Sequence, residues 1–69
     1  MELLVIKDGE SYFRFRDNTA LPCNMAKASV FPLEQIEKVR KLVEKLHQEG
    51  KMEAIIMQLT IHEKIYQED

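Results

Sequence analysis

The cysteine and histidine side chains of this 69-residue sequence, the thiol and imidazoles that most often ligate metals, act as nucleophile or carry protons near neutral pH, are three: Cys23, His47 and His62. Metal sites need three or four such groups, often announced by short-range spacings, and here there is no CxxC, no HExxH and no pair of histidines at i, i+4. Cys23 would need a histidine within hydrogen-bond reach to become a nucleophile, and none lies near it in the sequence. Gly9 and Gly50 are the only glycines, so no phosphate-cradling loop is spelled out. A chain this short also has little material for a walled pocket. We therefore expect no catalytic residue, no metal, no cofactor and no small-molecule ligand.

Binding is the better supported chemistry. The stretch Tyr12-Phe-Arg-Phe-Arg16 interleaves aromatics with arginines, the composition by which sheet surfaces stack bases and neutralise phosphates. Tyr12, Arg14 and Arg16, joined by Lys64, are the candidate contacts for single-stranded nucleic acid. Net charge weakens that reading, because 12 acidic residues outnumber 10 basic ones and give −2, whereas phosphate backbones draw clearly basic domains. The same strand supports a second reading. Leu3, Val5, Tyr12 and Ile56 would form an apolar patch with Arg14 at its rim, and aromatic and arginine residues are those enriched in protein interfaces and their hot spots. The expected partner is a second copy, by sheet stacking or edge pairing, or another protein.

Those residues need a scaffold, and the pattern of the chain supplies one. Leu3-Leu-Val-Ile6 and Ser11-Tyr-Phe-Arg-Phe-Arg16 flank Asp8-Gly9, a dipeptide suited to a type I′ hairpin turn. That turn would oppose Lys7 to Glu10, Ile6 to Ser11, Val5 to Tyr12, Leu4 to Phe13 and Leu3 to Arg14. Alternation then puts Leu4, Ile6, Phe13 and Phe15 on one face, and Leu3, Val5, Tyr12, Arg14 and Arg16 on the other. Asp17-Asn18 suits a second turn, and Thr19 to Cys23 has the makings of a short edge strand ended by Pro22.

A helix follows from Pro32 to Gly50. Pro32 suits a first helical position, Glu34 and Glu37 complement the positive end of the dipole, and Gly50 can supply the left-handed residue past the end. Ile36, Val39, Val43 and Leu46 recur at three and four residues, widened by Leu42 and Leu33. Glu34 with Lys38, Glu37 with Lys41 and Arg40 with Glu44 are spaced for ion pairs on the solvated side. Glu53 to Tyr66 reads as a final strand with Ile55, Met57, Leu59 and Ile61 facing the helix and Ile56, Gln58, Thr60, His62 and Lys64 facing out. Gln67 to Asp69 are polar and acidic, and fraying is their default.

The sum is one small α+β domain over residues 1–69. It is expected as ββαβ, a three-stranded mainly antiparallel sheet of order 2-1-3, with an extra edge strand at 19–23 as a variant, and one helix on one face. Leu4, Phe13, Phe15, Ile36, Val39, Val43, Leu46, Ile55, Met57, Leu59 and Ile61 are the expected core. A lone cysteine, no N-terminal apolar block of signal-peptide length and no run of about 18 apolar residues point to a cytoplasmic protein without membrane association. A small non-enzymatic interaction module, self-associating through its outer sheet face, is the function these features favour; a nucleic-acid-binding sheet surface is the alternative.

Overall fold

The structure, a computed structural model, describes residues 2–17, 19–62, 64 and 66. Its first strand β1 (Glu2–Asp8) is the axis on which the rest is hung. β2 (Ser11–Arg16) and β3 (Thr19–Cys23) continue it as an antiparallel meander, a two-residue strand β4 (Phe31–Pro32) follows, helix α1 spans Ile36–Gln48, and β5 (Ala54–Thr60) closes the fold. The α+β class is as expected. The sheet, however, has five strands where three were expected: the variant extra edge strand at Thr19–Cys23 is present and pairs with β2, and Phe31–Pro32, not expected as a strand, pairs with β1.

β5 runs antiparallel to β1 along its whole length, from Glu2 opposite Thr60 to Asp8 opposite Ala54. β1 is thus the central strand of the expected order. The last strand ends at Thr60 and not at Tyr66. Residues 61, 62, 64 and 66 have no regular structure, and the turn residue Asn18 and the tail Gln67 to Asp69 lie outside the described residues.

The other edge of β1 is shared. β2 takes only Lys7 and Asp8, opposite Tyr12 and Ser11, while β4 takes Leu3 and Leu4, opposite Pro32 and Phe31. Between them the sheet splits, and Ser29 fills the split. Its N–H donates to the Phe13 carbonyl (3.0 Å) and its Oγ accepts from the Phe15 N–H (2.8 Å), replacing ladder bonds that β1 no longer reaches to make.

The hairpin register differs from the expected one by two residues. The loop is Gly9-Glu10, with Gly9 at φ +61 in the first central position, the glycine placement of a type II′ turn and not of I′. Because the slip is two residues, the faces survive it: Leu4, Ile6 and Phe13 are buried together against Phe31, Val39, Val43, Leu46 and Ala54, with Phe15, Ile36, Leu42 and Ile56 packed around them. The second hairpin puts Arg16 opposite Thr19, and Asp17 turns it at φ +50, a conformation that aspartate tolerates better than most residues.

Pro32 is extended (ψ 152) and lies in β4, so the helical path starts one residue later, with a single 3₁₀ turn at Leu33–Gln35 leading into α1. That placement leaves Leu33 exposed, outside the stripe. The far end follows the sequence closely. Gly50 sits at φ +95, its N–H donates to His47 O (3.0 Å), and the Lys51 N–H donates to Leu46 O (2.9 Å), the paired bonds of a Schellman motif. Of the expected helix ion pairs, Arg40 meets Glu37 (2.7 Å) and not Glu44, on an exposed surface where such pairs contribute little.

Beside the helix, β2 and the 28–31 loop, a groove of about 230 Å³ is walled by Phe15, Phe31, Leu42, Ser29, Asp17 and Lys38. The Lys38 Nζ lies 5.7 Å from the Phe31 ring centroid, so its stem covers part of the apolar wall.

Candidate functional site: the outer sheet face

Strand alternation divides each strand between a helix side and an open side, and the register says which residues share the open side. β1 contributes Leu3, Val5 and Lys7 to it. Opposite them β5 places Leu59, Met57 and Ile55, while β2 brings Tyr12 opposite Lys7, and β3 brings Cys23 opposite Tyr12 and Leu21 opposite Arg14. The result is a largely apolar face with Lys7, Arg14 and Arg16 as its cations.

This arrangement corrects the face assignment of the last strand. Ile55, Met57, Leu59 and Ile61 were expected under the helix, yet Ile55 is 52% exposed and Met57 37%, with Ile61 exposed past the strand end. Ile56, expected on the outer patch, instead packs against the helix-side core opposite Ile6. The physical reason is the helix end. Its tight turn returns the chain to the sheet within five residues, with the Ala54 N–H donating to Lys51 O (3.2 Å) and His47 Nε2 donating to Ala54 O (2.9 Å). Only a small side chain fits where strand and helix are drawn so close, and Ala54 is fully buried there. Fixing Ala54 inward fixes Ile56 inward, and sends the more apolar odd-numbered set outward.

Val5 is the second correction. It points to the outer side, since it stands outside the helix-side cluster, but only 1% of it is exposed. Strand pairing surrounds it with Met57 opposite and Leu3 and Lys7 two residues to either side. It is the floor of the patch and not a contact residue. Leu3 and Tyr12 are half-buried and Arg14 is exposed, all three on the expected face. Leu21, 45% exposed beside Arg14, is a member that sequence reasoning missed; the alternation of β3 in register with β2 was the signal that could have found it.

Tyr12 carries a cation on its ring: Lys7 Nζ lies 5.4 Å from the centroid, an attraction of about 0.5–1 kcal/mol at exposed sites. Arg16 is exposed at the end of β2, and Lys64, expected on the outer face of the last strand, is exposed but beyond the sheet. Tyr12, Arg14 and Arg16 therefore share a face that Lys64 does not join as a strand residue.

The groups with potential for metal or nucleophilic chemistry are not brought together. Cys23 is half-buried on the outer side of β3, His47 is bound to a backbone carbonyl at the helix end on the other side, and His62 is exposed past β5. Among the described residues no three His, Cys, Asp or Glu side chains cluster where they could hold an ion. At the opposite end of the sheet from the hairpin turn, Glu2 accepts from Gln58 Nε2 (2.7 Å) and Thr60 Oγ1 (3.0 Å), both on its Oε2. These two hydrogen bonds, Gln58 first, lower its pKa below the ordinary 4.5. A depressed carboxylate stabilises the fold at pH above its unfolded value, and that contribution is lost as pH falls through the folded one. Melting temperature should accordingly drop less on acidification below 4.5 in Glu2→Gln than in the wild type, a difference that calorimetry on the two proteins would read.

Comparison with protein-family models, curated proteins and solved structures finds no match to this chain. No helix among the described residues is long and apolar enough to cross a membrane.

Proposed function

We propose that this chain is a small non-enzymatic protein–protein interaction module of the cytoplasm, and that it self-associates through the outer sheet face. The observation that carries the reading is the placement of Ile55, Met57, Leu59 and Leu21 on the same face as Leu3 and Tyr12, with Ile55, Met57 and Leu21 exposed. Contiguous apolar surface of this kind, rimmed here by Lys7, Arg14 and Arg16, marks contact sites. Tyr12 supplies a large rigid anchor and Arg14 a directional hydrogen-bonding rim. Compared with the expectation from sequence, the contact set loses Ile56 and Val5 and gains Ile55, Met57, Leu59 and Leu21.

Light scattering tests this directly. Tyr12→Asp and Ile55→Lys should keep the wild-type far-UV circular dichroism while lowering the assembled mass, because both sites face solvent in the isolated chain. A wild type that stays monomeric at high concentration overturns self-association. Single-strand binding by Tyr12, Arg14 and Arg16 is the weaker reading, since Lys7 already occupies the tyrosine ring and aliphatic side chains dominate the face. It predicts salt-sensitive retention on single strands, abolished in Arg14→Ala with Arg16→Ala.

A further inference from the structure

Every open sheet ends in two edges, and natural proteins guard them with short strands, proline, lysine or bulges. The β3 edge is guarded: it is five residues long and contains Pro22, which has no N–H to offer. The β5 edge is not. Its seven residues, Ala-Ile-Ile-Met-Gln-Leu-Thr, include no proline, no glycine and no charge, and its pairing with β1 is unbroken from end to end, without a bulge. Among the described residues β1 is its sole strand partner, which leaves alternate N–H and C=O groups of β5 directed away from the sheet.

We infer that this edge pairs antiparallel with the same edge of a second copy. Two identical strands meeting antiparallel across a two-fold axis are self-complementary by construction, since every donor on one faces an acceptor on the other. The axis stands perpendicular to the sheet, so outer face continues into outer face. A register centred on Met57 places Ile55 of one copy opposite Leu59 of the other on that face and Ile56 opposite Gln58 on the helix side. No charged residue occurs between Glu53 and His62, so no like charges oppose each other along the joined strands. The outcome is one continuous ten-stranded sheet, counting five strands from each copy.

This contact uses main-chain groups at the edge, whereas the outer-face contact uses side chains, so either can exist without the other. Operating together about perpendicular axes they make a tetramer. Two measurements separate them. In the wild type, amide exchange followed by NMR should show the outward-directed β5 amides protected in concentrated solution and exchanging on dilution. Consecutive strand residues direct their N–H groups to opposite sides; of Met57→Pro and Gln58→Pro, one removes a bond to β1 and the other only the outward donor. The latter should keep its circular dichroism and show half the wild-type mass by sedimentation, while Tyr12→Asp retains the protected β5 amides. Outward β5 amides that exchange freely in a concentrated, assembled sample overturn edge pairing and leave the outer-face reading standing. Assembly that is lost with the edge proline and indifferent to Tyr12→Asp does the reverse. A wild type monomeric throughout overturns both.

Discussion

Phe13→Ala should cost about 3–5 kcal/mol and move the unfolding midpoint far below that of the wild type. The ring is 1% exposed at the centre of the helix-side cluster and 6.3 Å from Phe15, which in turn lies 6.2 Å from Phe31. Truncation removes the transfer energy of the ring and leaves a void bounded by strands whose backbones are already hydrogen-bonded, so the surroundings cannot close on it. For a domain of this length total stability is about 3 to 10 kcal/mol. One substitution thus removes at least about a third of it. A urea titration followed by circular dichroism checks this: a midpoint within a few tenths molar of the wild type would show that Phe13 is not the keystone its burial implies.

Val5→Asp should be nearly as damaging, although Val5 lies on the open side of the sheet. A short carboxylate cannot reach past its neighbours to water, and an ion held out of solvent with no partner costs several kcal/mol in addition to the about 1.5–3 kcal/mol lost with the valine. The informative control is Ile55→Asp on the same face, on the adjoining strand and half in water. It should fold normally. Thermal denaturation of the pair distinguishes the floor of the patch from its contact surface; equal melting temperatures would mean that Val5 is accessible after all.

The comparison between these two residues shows where sequence was legible and where it was not. Helix α1 could be read in its stripe and at its C-terminal end because those signals are local: a glycine past the last turn and an apolar stripe at helical spacing; its start was not, since Pro32, expected at the first helical position, lies in β4. The faces of β1 and β2 were equally readable, since they depend on parity alone and a two-residue slip in the hairpin preserves parity. β5 was not readable in this way. Ala54 to Leu59 is apolar on both faces, so alternation offers two answers and the more greasy one is the wrong one. The choice is made by the closeness of the helix end at Ala54 and the hydrogen bond from His47, which are tertiary facts. Phe31 and Ser29 were missed for a related reason. Nothing within the sequence around them says that β1 and β2 part company, and only in that gap do the two residues acquire a role.

The wedge at Ser29 and the partnership of the first strand with the last have a bearing on how the protein is made. Leu3 to Ile6 leave the ribosome before β5, and Glu2 finds its opposite number only at Thr60, 58 residues later. β2 and β4 can meet one edge of β1 sooner, but its other edge is left to β5, and long sequence separation slows the closure that finally pairs it. One margin of that greasy run must therefore wait, in a growing chain, until β5 has emerged.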